Sequence, residues 1–195
     1  VYIVRWEDLG AATAAFPKPV AATIGVFDGV HSGHRELLHA AATAEGMSSV
    51  VITFCQNPAG VLAPDRYQGD IMSLDQKLER FEELDIHSAL LIDFNEQFRA
   101  LSGEGFLETL RLGLPLGYLV VGHDFRCGKD LDTDAPAIQH YLRPFGVRVD
   151  IVEALTDNET LISSTRIRNA VQRGDFRTVR RLMGRPFAVD LRRLP

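Results

Sequence analysis

Short unbroken apolar runs alternate along this chain with segments whose apolar residues recur every three or four positions. An unbroken run marks a strand buried on both faces; the three-to-four spacing marks a helix with one apolar stripe. Residues 20–27, 49–54, 89–94, 118–122 and 147–152 read as five buried strands. Helices are predicted between them: about 33–44, 73–84 opened by the Ser73/Gln76 capping box, 106–112, and 134–146 between Asp134-Ala135-Pro136 and Gly146. Two more close the chain. Ser163 or Ser164 caps a helix ending near Gly174, and Asp175 caps one that Gly184 stops. Alternating strands and helices predict an α/β fold on a parallel sheet. In such sheets ligands bind beyond the carboxyl ends of the strands. Attention therefore falls on four loops, 28–34, 55–70, 94–102 and 122–135. The stretch 55–72 is long for a connection, as functional lids often are.

Composition narrows the function classes. The 195 residues suit one domain, and 46% hydrophobic with 24% charged residues is ordinary for a globular chain. No internal repeat or low-complexity tract appears, although 11–15 is Ala-heavy. Two cysteines, Cys55 and Cys127, exclude a disulfide scaffold and suggest a reducing compartment. No apolar run is long enough to span a bilayer, and no signal peptide opens the chain, so a cytoplasmic address without a membrane partner is expected. The chain lacks an initiator Met, which leaves its true N-terminus open. Net charge is −5, divided unevenly: 12 basic against 24 acidic residues in 1–165, and nine Arg against two Asp in 166–195. The basic end reads either as a solvated helix face or as a phosphate-facing one. Nucleic acid is not an expected partner, because the body is acidic and the basic end has few aromatics.

The chemistry concentrates in two segments. Gly25-Val26-Phe27-Asp28-Gly29-Val30-His31-Ser32-Gly33-His34 follows a strand and opens a helix. A helix N-terminus presents unpaired N–H groups and partial positive charge, which suits phosphate. Gly25, Gly29 and Gly33 would let backbone approach a ligand, and His31 and His34 lie on one face of the first turn. Two His at this spacing could ligate zinc, but no third ligand stands nearby. Neither the Gly-x-Gly-x-x-Gly fingerprint nor a P-loop is present; Gly122 to Gly128-Lys129 is one residue too long, and Asp130 stands where Ser or Thr is needed. The second segment, Leu161-Ile162-Ser163-Ser164-Thr165-Arg166-Ile167-Arg168, puts hydroxyls at a helix start with an arginine behind them. Alone it is a helix cap; paired with the first it is a second anion site.

The first segment resembles the His-x-Gly-His signature of the nucleotidylyltransferase superfamily. Its longer form, Phe-Asp-Gly-Val-His-x-Gly-His, resembles the FMN adenylyltransferase module of bacterial bifunctional riboflavin kinase/FAD synthetases. Ser163-Ser164-Thr165-x-Ile167-Arg168 is similar to the superfamily's second signature. Gly122–Gly128, 101–106 and 181–187 resemble further family segments, so the likeness spans about 20–187. It implies a Rossmann-like, doubly wound parallel sheet with a short C-terminal helical extension. It implies FMN and ATP as substrates, Mg²⁺ accompanying ATP, and FAD and pyrophosphate as products. His31, His34 and Arg168 are then expected to be catalytic. Gly25, Phe27, Gly29, His31, Gly33, His34, Ser163, Ser164, Thr165 and Arg168 are expected at ATP, and Phe54, Asn57, Pro58 and Asp124 at the flavin. The chain departs from the family at Cys55-Gln56-Asn57, at Cys127 and at Lys129–Asp134, where three acids stand near the expected phosphate path. These departures keep two alternatives open: a different phosphate-bearing acceptor, or a binding protein with decayed catalysis. Residues 1–187 are expected to form the transferase domain and 188–195 a tail, with no kinase module.

Overall fold

A computed structural model describes residues 1–12, 16 and 18–193. Residues 13–15 of the Ala-heavy stretch and 194–195 of the tail lie outside the described residues. The chain runs β1 (Tyr2–Arg5), α1 (Leu9–Ala12), β2 (Val20–Ile24), α2 (Ser32–Ala42), β3 (Ser48–Phe54), α3 (Pro58–Leu62), α4 (Leu74–Glu83), β4 (Ser88–Ile92), α5 (Glu96–Arg99), α6 (Gly103–Gly113) and β5 (Leu116–Gly122). It continues through β6 (Arg126–Cys127), β7 (Thr133–Asp134), α7 (Ala135–Leu142), β8 (Arg148–Val152), β9 (Thr156–Asp157), β10 (Thr160–Leu161), α8 (Ser164–Gln172) and α9 (Phe176–Met183).

Six strands form one sheet in the order β1-β4-β3-β2-β5-β8, and every neighbouring pair is parallel. From β2 the chain runs outward to β3 and β4 on one side and to β5 and β8 on the other, with β1 added beyond β4, so the sheet is doubly wound and its switch point lies between β2 and β5. Successive side chains on each strand alternate between two cores. Val20, Ala22, Ile24, Val50, Ile52, Leu119 and Val121 pack with α6 and α7. Ala21, Val51, Ala89, Leu91 and Val120 pack with α2 and α4. A third cluster joins α8 and α9 around Ile167, Val179 and Leu182, with Ile71 reaching in from the loop before α4.

The five anticipated strands are present, and the sheet has a sixth. β1 buries only Val4, so its short sequence carries no strand pattern; pairing with β4 creates it. The first anticipated strand stops at Ile24 rather than 27, because the backbone turns there and Phe27 adopts φ +52°. The Ser73/Gln76 capping box forms as predicted. Stretch 55–72 holds α3 and a 3₁₀ turn at Pro64–Arg66 rather than being structureless. Residues 188–193 lie along α4: Gln76 donates to the Ala188 carbonyl, and Arg192 pairs with Glu79. No helix among the described residues is long and apolar enough to cross a membrane.

Candidate active site

All four loops beyond the strand carboxyl ends meet around one cavity of about 840 Å³. It opens at the β2/β5 switch point. Gly25, Phe27 and His34 line it from the first segment; Gly122, Asp124 and Cys127 line it from the loop after β5. Phe54, Pro58, Phe94, Phe98 and Phe106 give it an aromatic side. There Phe54 sits edge-on to Phe94 and Phe98, with centroids 5.6 and 6.0 Å apart.

The turn from Gly25 to His31 is strained. Phe27, Gly29 and Val30 all have positive φ, +52°, +84° and +39°. Such conformations cost ~1–3 kcal/mol each for non-glycine residues and persist where the surroundings over-determine them. Gly29 meets its demand without a Cβ, which would also lie 3.1 Å from Ile71. The Phe27 ring is fully buried, edge-on to both His34 and Phe81.

His31 does not sit in the helix beside His34; it caps the helix. Its Nδ1 accepts from the His34 backbone N–H at 3.2 Å, and the two rings stack at 3.6 Å between centroids. That bond fixes the tautomer: with Nδ1 accepting, a neutral His31 carries its proton on Nε2 and donates from there. Burial, then the nearby Arg185 charge, pushes His31 down to about 4, with Asp124 pulling the other way. Burial, then His31 and Lys77, holds His34 well below the ordinary imidazole value. Both rings are therefore neutral donors at pH 7. His34 lines the cavity directly, and its Nδ1 is buried without a partner.

The second segment meets the first through Asp28. This carboxylate is 4% exposed. It accepts from Arg168 at 2.7 Å and from the Ile71 N–H at 2.9 Å, while its backbone carbonyl accepts from the Ser164 hydroxyl. Burial and the neighbouring Asp70 raise its carboxyl above the ordinary value, against the pull of Ile71 and Arg168. Ser163 caps α8 by accepting from the Arg166 N–H. Arg168 also donates to the Gly69 carbonyl. So Ser163, Ser164 and Arg168 bind inward in this structure, and Thr165 is the exposed residue of the four. Asn57, expected at the flavin, caps α3 through Ala59 and donates to Asp70. Its neighbours Phe54 and Pro58 line the cavity.

The departures acquire structural reasons. Asp132 accepts from the Gly103 N–H at the start of α6, and Asp134 caps α7. Two of the three acids are thus consumed by helix N-termini, where negative charge is favoured. Asp130 remains at the cavity rim. Burial, then Asp132, pushes the Cys127 thiol up to about 12, and burial also raises Cys55, so neither is a ready thiolate. Among the described residues no group of three or more His, Cys, Asp or Glu is placed to hold a metal ion. Part of the basic end is spent internally: Arg166 and Arg181 share Asp157, and Arg192 holds Asp190 and Glu79.

Sequence reasoning missed Lys77. Its side chain is buried under the site and donates to the Val26 carbonyl, the Thr53 hydroxyl and the Phe54 carbonyl at 3.1–3.3 Å. A signal existed: Lys77 occupies the apolar stripe of α4 between Leu74 and Phe81.

Comparison with known proteins follows the same lines. The family model described as FAD synthetase matches residues 13–166. The bifunctional riboflavin kinase/FMN adenylyltransferase of Bacillus subtilis is 32% identical over 181 residues, 85% of this chain and 54% of the relative. The FAD synthetase of Listeria monocytogenes is 28% identical over 170 residues, 86% of this chain and 69% of the relative. This chain therefore spans about half the length of its bifunctional relative. A solved Streptococcus pneumoniae structure, described as a macrolide-efflux protein, superposes with a TM-score of 0.81 at 27% identity, covering 96% of this chain and 72% of that one.

Proposed function

This chain belongs to the FAD synthetase family, and on that premise we propose that it transfers AMP from ATP to FMN. A phosphate oxygen of FMN attacks the α-phosphorus of ATP. The bond from that phosphorus to the bridging oxygen breaks, and FAD and pyrophosphate result. The nucleophile is already an anion at neutral pH, so the protein needs no nucleophilic side chain; neither cysteine is ionised to be one. Its task is positioning and charge stabilisation.

One observation carries this reading: a strained, glycine-bearing turn and His34, stacked on the buried and neutral His31, border a cavity whose other side is aromatic. The polar side suits the phosphates. His31 Nε2–H, the N–H groups at the start of α2 and its dipole would meet the α- and β-phosphates, with His34 at the cavity wall. The side made by Phe54, Phe94, Phe98 and Pro58 suits the flat isoalloxazine ring. Asp124 lines the same cavity and would orient the flavin's polar edge. Arg168 acts in this conformation through Asp28, holding the turn; a direct contact with phosphate would need that ion pair to open. Magnesium would arrive on the phosphates of ATP; among the described residues there is no ligand cluster for it. A cytoplasmic location suits such a reaction.

The test is direct. Purified protein is incubated with ATP, Mg²⁺ and either FMN or riboflavin, and the flavins are separated. FAD from FMN is the expected result. No FAD from FMN under saturating ATP refutes the proposal.

A further inference from the structure

The backbone of the strained turn is held from behind, carbonyl by carbonyl. Val26 O accepts from Lys77 Nζ at 3.1 Å. Phe27 O accepts from the Val30 N–H at 3.2 Å. Asp28 O accepts from the Ser164 hydroxyl at 2.8 Å. Gly29 O and Val30 O accept from the two terminal nitrogens of Arg185, at 2.8 and 3.2 Å. Four of these five carbonyls are thus held by side chains from behind, and that of Phe27 closes the turn on itself. A peptide's N–H points opposite to its carbonyl, and successive N–H groups in mixed right- and left-handed conformations form an anion-binding concavity. A turn with positive φ at Phe27 and Val30 does not hold that shape unaided, because side chains with a Cβ disfavour it.

Two of these clamps are cations whose donors go to carbonyls and a hydroxyl rather than to a carboxylate. Lys77 spends all three donors on Val26, Thr53 and Phe54, joining the turn to the end of β3. Arg185 follows α9 and is half-buried, with Arg35 and Arg80 as charged neighbours alongside Glu83. Ser32, the first residue of α2, donates to the Leu182 carbonyl, so the segment after β2 and the end of α9 are joined twice. Among the described residues neither cation has a carboxylate at contact, although burial lowers the pKa of both.

Building on the proposed adenylyl transfer, we propose that Arg185 and Lys77 are positioning residues of this site. They hold the carbonyls of Val26, Gly29 and Val30 away from the nucleotide, so that the two imidazoles and the turn's N–H groups other than that of Val30, which closes the turn on Phe27, face its phosphates. They touch no reacting atom. Arg185 is the informative position, because its fork spans two carbonyls that a single ammonium cannot bridge in the same way.

The experiment compares wild type with Arg185→Lys, Arg185→Met and Lys77→Met in the 195-residue chain. It reads kcat and both KM values in FAD formation below the melting temperature, and amide hydrogen exchange of residues 27–34 without ligand. Loosening the turn should lower kcat by about 10²-fold in Arg185→Met. The KM for FMN should stay nearly unchanged, turn amides should exchange faster, and Arg185→Lys should recover only part of the rate. A merely structural role would lower the melting temperature and leave kcat of the folded protein alone; that result overturns the proposal. If Arg185→Met fails to fold, Arg185→Lys, which keeps charge and near length, carries the same comparison. If wild type makes no FAD, the transfer reading fails by itself. The clamp is then judged on amide exchange, and unchanged exchange in the variants overturns it too.

Discussion

Stability of this protein should fall between pH 6.5 and 4.5, and His31 should account for a measurable part of the fall. In the folded chain its pKa lies at about 4 against an ordinary 6.5. Between those values the unfolded chain binds a proton there that the folded chain does not. The contribution is therefore complete above 6.5 and is lost as pH falls towards 4. The slope is ~1.4 kcal/mol per pH unit, which integrates to about 2 kcal/mol between pH 6.5 and 4.5. His34, also held low, adds loss of the same sign. Asp28 works in the opposite sense: its carboxyl is raised, so its contribution grows as pH falls. The carboxylates held low, such as Asp157 and Asp190, act below 3.8, outside this range. The informative variant is His31→Asn, which removes the titration but keeps a helix-capping oxygen for the His34 N–H. Urea unfolding at half-unit pH steps, fitted with a common m-value, gives both curves. Wild type should lose about 2 kcal/mol more than His31→Asn across the range. Parallel curves would refute the argument that a neutral, buried His31 shapes this turn.

Asp28→Asn leaves the Arg168 guanidinium without its carboxylate in a buried place, and should cost about 3–5 kcal/mol in denaturant unfolding; a loss below ~1 kcal/mol would mean the pair does not support the turn. Gly29→Ala forces a Cβ into φ +84° and against Ile71, costing about 1–2 kcal/mol in thermal unfolding; an unchanged Tm would count against the strain. Phe54→Ala should raise the KM for FMN with little change for ATP. Asn57→Ala should instead lose helix-cap stability of about 1 kcal/mol and move the FMN term less; the reverse order would place Asn57, not Phe54, at the flavin.

The sheet was legible in the sequence because parallel strands buried on both faces leave continuous apolar runs, as in Ser48–Phe54 and Ser88–Ile92. Helix starts were legible because Ser73, Asp134, Ser163 and Asp175 act locally as caps. β1 was not, since an edge strand with one buried residue takes its form from its neighbour. The two segments that carry the chemistry stood out, but their division of labour did not. Whether Arg168 faces a ligand or Asp28 depends on how α8 docks, 140 residues from its partner. Asn57 looked like a pocket residue from its loop alone, yet a residue preceding Pro58 at a helix start is a natural cap.

Charge shows most clearly why counting residues misleads at such a site. The sequence sets acids at 130, 132 and 134 near an expected phosphate path and nine arginines at the far end. Both features would suggest a site repelled on one side and steered from the other. Folding ties up two of the three acids and pairs four of the nine arginines. Asp132 and Asp134 give their lone pairs to helix N-termini, which carry partial positive charge themselves. Arg166 and Arg181 are matched by Asp157, Arg168 by Asp28, and Arg192 by Asp190 and Glu79. The positive character left at the turn comes from Lys77 and Arg185, whose donors end on carbonyls, and from the open end of α2. Carbonyl-bonded cations keep their full charge while fixing backbone, whereas ion-paired ones lose their field at a distance. A phosphate-handling turn built this way is rigid and electropositive at once, even inside a chain of net charge −5.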